Sequence, residues 1–177
     1  MKNSKKRGIS RPALALTRGA LVAAMYVALT WLSSIMGLSS GVIQFRFSEA
    51  LCILPVFMPE AIPGLFVGCL ISNLIATANP WDILFGSLAT LIGAVGTFLL
   101  RRLPKGLAWL ASLPPVLSNM IIVPPVLIFA YGAEDAYWFL LLTVGIGELV
   151  CAGFGGSTLY YALRRTRLFD IGMKKNK

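Results

Sequence analysis

The sequence predicts an all-α integral membrane protein, a bundle of six transmembrane helices with both termini in the cytoplasm. Three observations carry that prediction. Of the 177 residues, 57% are hydrophobic and only 13% are charged, with a mean hydropathy of +0.79, against roughly 25% charged in an ordinary soluble domain. A span takes about 20 apolar residues, so six spans consume most of the chain and leave no room for a soluble domain. All but one of the 16 Lys and Arg residues fall in three clusters, ahead of the first apolar run, at 101–105, and after residue 163; the positive-inside tendency places all three clusters on the cytoplasmic side. The division that follows is a basic N-terminus over 1–18, a single membrane domain over 19–163, and a basic tail over 164–177.

The first apolar run, 19–38, is too long for most signal-peptide cores and reads as an uncleaved span. Ala20, Ala24 and Ala28 recur in it every four residues, which makes a flat stripe on which another helix, of this chain or of a partner, can lie close. Two further runs follow, 48–58 and 61–77, separated by Pro59-Glu60. Hydropathy alone does not say whether they form one span or two. If they formed one, Arg101, Arg102 and Lys105 would lie outside, so the charge rule favours two, the first of them short or partly re-entrant. Gly64, Gly68, Ser72 and Ala76 line one face of the second run, with Asn73 beside them. The fourth span, 81–100, carries Asp82, Gly86, Ala89 and Gly93 on one stripe. The fifth opens at Pro114-Pro115, and Pro124-Pro125 is expected to interrupt it about halfway. Glu134 and Asp135 make an acidic outer loop. Tyr137-Trp138 and Tyr160-Tyr161 bracket the sixth span at a separation near the hydrocarbon thickness, as interfacial aromatics do, and Gly145, Glu148, Ala152 and Gly155 share one of its faces.

Composition also removes whole classes of function. There is no histidine, hence no Ser-His or Cys-His pair and none of the commonest metal ligand. Cys52, Cys69 and Cys151 stand in separate apolar runs and read as small buried hydrophobes. No phosphate-binding Gly-x-x-x-x-Gly-Lys loop occurs, and the basic residues are disposed for a bilayer rather than a nucleic acid. No catalytic residue, cofactor or metal is expected.

What remains is charge in an apolar setting. The run Gln-Phe-Arg-Phe-Ser-Glu at 44–49 holds Arg46, the one basic residue outside the three clusters, with Glu49 three residues on. Ionisable groups within a membrane are tolerated mainly when they pair, face the protein interior or meet a ligand. Asp82, Glu148, Asn73 and Asn119 share that setting, and together these groups predict one polar pocket. Pairing of Arg46 with Glu49 alone is the plainer alternative.

Five stretches in order, Ile43-Gln-Phe-Arg-Phe-Ser-Glu-Ala-Leu51, Ala61-Ile-Pro-Gly-Leu-Phe-Val-Gly-Cys69, Pro80-Trp-Asp-Ile-Leu-Phe-Gly-Ser-Leu-Ala-Thr90, Leu113-Pro-Pro-Val-Leu117 and Gly145-Ile-Gly-Glu-Leu149, resemble the queuosine-precursor transporter family. These proteins are the membrane-embedded substrate-binding (S) components of energy-coupling factor transporters. The resemblance implies a six-helix bundle in a bacterial cell membrane that captures a 7-deazaguanine, a queuosine precursor or queuine. It further implies docking on a transmembrane coupling subunit with two cytoplasmic ATPases, through a stripe matched here by Ala20, Ala24 and Ala28. Such a ligand suits the polar residues. A carboxylate accepts the paired N–H donors of the guanine-like edge, and a cationic aminomethyl group calls for a second carboxylate. Glu49, Asp82 and Glu148 supply enough of these; Arg46 or Asn119 can donate to the ring carbonyl, and Trp81 and Phe45 can stack on the base or else anchor the membrane interface. Capture of another small vitamin-like molecule, or action as a stand-alone carrier, are the alternatives.

Overall fold

The computed structural model describes residues 10–39, 43–76 and 78–166. The basic residues before Ser10 and after Thr166, Thr77, and part of the first loop lie outside the described residues. All regular structure among them is helical, in six helices: α1 Arg11–Ile35, α2 Phe47–Val56, α3 Ala61–Ala76, α4 Asp82–Arg102, α5 Gly106–Tyr131 and α6 Tyr137–Arg165. By length and composition α1, α4, α5 and α6 suffice to cross a membrane; α2 and α3 are shorter apolar helices.

Helix α1 begins well before the apolar run. Pro12 sits in its first turn, where a missing N–H costs nothing, and strong helix formers follow. Its Ala20, Ala24 and Ala28 are exposed, while Val22, Tyr26 and Thr30 on another face are buried. The alanine stripe is therefore not used within the bundle.

The runs after the first loop are two helices, and α2 is a 3₁₀ helix throughout its ten residues. At about 2.0 Å rise per residue it reaches roughly 20 Å, a third further than the same residues would as α-helix, although 3₁₀ runs this long are uncommon. Side chains of α1 pin its start: Phe47 N–H donates to Ser33 Oγ at 3.0 Å and Thr30 Oγ1 donates to Ser48 Oγ at 2.8 Å. Residues 48 to 55 are all buried except Ala50, so α2 threads the middle of the bundle.

Glycine contacts give the helix directions. A Cβ on Gly64 would lie 2.5 Å from the Gly19 carbonyl oxygen, and one on Gly68 2.8 Å from Tyr26 Cβ, so α1 and α3 run parallel in close contact. Gly93 meets Pro115 while Gly96 meets Pro114, which sets α4 antiparallel to α5. Gly147 packs on Gln44 and Gly156 on Ala50 and Ile53, so α6 runs with α2. The chain thus reverses at every connection. Replacing Gly64 by valine is expected to wedge α1 from α3 and cost about 1–3 kcal/mol, read as a drop in Tm of the detergent-solubilised protein. Gly106→Ala is the control, because its Cβ would meet nothing within 4 Å.

This alternation gathers the described basic clusters at one end. Ile53, Ala108, Ala111 and Tyr160 form a small core there with Phe57 and Leu100 against it, beside Arg101 and Arg164. Arg46, Trp81, Glu134 and Asp135 lie toward the other end. Two details depart from the sequence-based expectation. Tyr160 is 5% exposed, tilted against Phe57 with the Arg164 guanidinium bonded to its hydroxyl, so it is a core residue and only Tyr161 faces outward. Helix α5 also runs on through Pro124-Pro125 without a break; with Pro124 buried, neighbouring protein surrounds the point where two ladder bonds are lost.

Candidate functional site

The two inward carboxylates of α4 and α6 stand at irregular turns. Asp82 opens a π-helical segment, Asp82–Gly86, and Glu148 immediately precedes a second, Leu149–Gly155. A π turn widens the helix locally and redirects the adjoining side chains, and such turns are frequent at functional sites.

Glu49, on α2, is 2% exposed and fully engaged. Its Oε1 accepts from the Tyr26 hydroxyl of α1, and its Oε2 accepts from Cys52 Sγ at 3.2 Å and from Asn119 Nδ2 of α5 at 3.5 Å. Among the described residues the only ion pair is Arg18 with Glu60, so Arg46 and Glu49 do not pair with each other. Glu148, 9% exposed, is the opposite case. Asn119 and Arg46 line the same cavity as Glu148, yet its Oε2 is buried without a hydrogen-bond partner. Gln44, Arg46, Asn119, Val123, Val144 and Glu148 line a common cavity of about 20 Å³, the space of one water molecule. Arg46, Gln44 and Asn119 bring donor-bearing side chains to the same cavity as a carboxylate with spare acceptor capacity, and two valines complete its lining. That combination matches a flat polar edge.

Of the residues the sequence proposed, the cavity thus brings together Arg46, Asn119 and Glu148, with Glu49 held directly behind Asn119. Asp82 does not line it: its Oδ2 accepts from the Tyr131 hydroxyl at 2.5 Å. Asn73 donates through Nδ2 to the Asp82 carbonyl at 2.9 Å, which fastens α3 to the irregular start of α4. Trp81 is exposed and stacks on Phe85 at 5.7 Å, in an apolar groove with Ile121, Pro125 and Phe129. Phe45 is half-buried and donates its backbone N–H to Leu38. Ala20, Ala24 and Ala28 line a different groove of about 950 Å³ with Val67, Ile71 and Ile75 of α3.

Sequence reasoning missed Gln44, Tyr26 and Tyr131. Gln44 stands two residues before Arg46, whose backbone is extended, and residues two apart on extended chain point the same way. Nothing local marks the tyrosines, whose carboxylate partners are 23 and 49 residues distant.

The QueT transporter family model matches residues 16–165. The queuosine precursor transporter QueT of Lactococcus lactis subsp. cremoris (strain MG1363) is 30% identical over 144 residues, covering 77% of this chain and 84% of that protein. No solved structure matches the chain.

Proposed function

Because the chain belongs to the QueT transporter family, we propose that it is the substrate-capture component of an ATP-driven importer, binding a 7-deazaguanine queuosine precursor from outside the cell. The observation that carries this reading is the unpartnered Glu148 Oε2 in a cavity shared with Arg46. A buried acceptor without a donor costs on the order of 1–3 kcal/mol, more when charged, and the paired N–H groups of a guanine-like edge remove that cost while Arg46 donates to the ring carbonyl. A two-ring base is larger than the cavity of about 20 Å³, so its entry requires the elements around the cavity to move apart. Glu49 then holds Asn119 in place and does not itself touch the base.

The reading includes six crossings of a bacterial plasma membrane, both termini inside, with the cavity toward the outer face. Loop 101–105 is then cytoplasmic, and Glu134 and Asp135 are outside, as their gathering at opposite ends suggests. A single cysteine placed at Leu103 in a cysteine-free background is expected to resist an impermeant maleimide until the cells are opened; labelling of intact cells would contradict the orientation.

The chain brings no nucleotide-binding loop, so uphill transport is assigned to partners: a transmembrane coupling subunit and two cytoplasmic ATPases, docked through Ala20, Ala24 and Ala28. The exposure of that stripe supports docking over internal packing. Purified alone and placed in liposomes, the protein is expected to bind a 7-deazaguanine without accumulating it, and to transport only when the coupling subunit, both ATPases and ATP are added. Accumulation by the protein alone would identify a stand-alone carrier.

A further inference from the structure

Glu60 is the one acidic side chain among the described residues at the basic end of the bundle. It ends the connection between α2 and α3 beside Gly19 of α1, with 26% of its side chain exposed. The Arg18 guanidinium reaches its Oε1 only at 3.9 Å, and its Oε2 is buried without a hydrogen-bond partner. Glu60 also lines a groove between α1 and α3 of about 430 Å³, with Leu16, Gly19, Ala20, Gly64 and Val67. That groove shares Ala20, Ala23 and Val67 with the larger one above it, so together they make one continuous apolar channel along the two parallel helices, closed at its basic end by a carboxylate with unused acceptor capacity.

We propose that this channel seats an apolar helix of the coupling subunit that carries a Lys or Arg at its cytoplasmic end, and that Glu60 is the acceptor for that cation. The inference rests on the docking role assigned to the α1 stripe, and adds α3 and a charge to it. Small residues on α1 admit a close helix, while Val67, Ile71 and Ile75 supply the opposing wall. The carboxylate supplies what an apolar groove lacks, a fixed register along the helix axis. A cation there meets a partly desolvated acceptor, where a charge-assisted bond is stronger than at the open surface. The Glu60 side chain is well separated from the Glu148 cavity, which belongs to the other end of the bundle, so it should influence assembly and not capture.

The test is recovery of the coupling subunit and ATPases on the tagged full-length chain after co-expression, for wild type, Glu60→Gln, Glu60→Arg and Ala24→Trp, with the affinity of each purified variant for a 7-deazaguanine measured in parallel. Expected are a several-fold lower recovery with Glu60→Gln, near-complete loss with Glu60→Arg, and unchanged base affinity in both. Recovery on wild type should fall with rising salt, and on Glu60→Gln it should change little. Full recovery on both Glu60 variants with loss on Ala24→Trp would overturn the anchor and leave the docking stripe standing. Full recovery on all three would overturn the docking reading too. Recovery of a second, untagged copy of the chain in place of the coupling subunit would make the channel a homodimer interface and overturn the proposal. The near-isosteric Glu60→Gln guards against misfolding, because its base affinity and Tm report an intact bundle.

Discussion

Glu148→Gln is expected to leave the purified protein folded and to weaken its binding of a 7-deazaguanine by roughly ten- to a hundredfold. The amide keeps the shape of the side chain but removes its charge and one of its two acceptor oxygens. A charge-assisted hydrogen bond contributes about 1.5–3 kcal/mol, and each 1.4 kcal/mol is tenfold in affinity. The unliganded protein should lose little, because the Oε2 of Glu148 has no partner to forfeit. Glu49→Gln makes the contrast. That carboxylate accepts from Tyr26, Cys52 and Asn119, and an amide nitrogen in place of one oxygen would confront a donor with a donor. Its main effect should therefore be a lowered Tm with and without base. Asp82→Asn should fall between the two, since Tyr131 already occupies one oxygen. Calorimetric titration and thermal melting of each variant separate these outcomes; an affinity unchanged in Glu148→Gln would remove Glu148 from the binding edge.

Ala24→Trp is expected to reduce uptake to background while the purified variant binds base as wild type does. Ala24 is exposed on the middle of the α1 stripe, in the groove of about 950 Å³ between α1 and α3. An indole there fills the space a partner helix needs, and it touches none of the residues lining the Glu148 cavity. Uptake in cells together with binding by the purified protein checks it. Loss of binding in a variant of unchanged Tm would place the stripe in the capture site instead.

What the sequence could and could not reveal follows from the range of the interactions. Periodicity reports which face of a helix is buried: Asp82, Gly86, Ala89 and Gly93 of α4 are all buried, as are Gly145, Glu148 and Ala152 of α6. The gathering of the described basic residues at one end of the bundle is similarly readable, because clustered charge is a feature of the sequence itself and not of contacts. Geometry that depends on tertiary contact was not. The start of α2 is fixed by bonds with Thr30 and Ser33, 18 and 14 residues away, and the 3₁₀ and π segments leave no period of their own. The same holds for the difference between Glu49 and Glu148. Both are carboxylates in apolar runs, and only the arrival of Tyr26 and Asn119 from distant helices makes one saturated and leaves the other with a free oxygen.

The central claim, capture of a 7-deazaguanine at Glu148 and Arg46, is tested most directly by titrating a free 7-deazaguanine base into the purified full-length protein and into Glu148→Gln, with guanine as competitor. Saturable one-to-one binding to the wild type that falls at least tenfold in the variant is the predicted result. No heat and no thermal stabilisation with any 7-deazaguanine tried, from a protein that melts cooperatively, would contradict it.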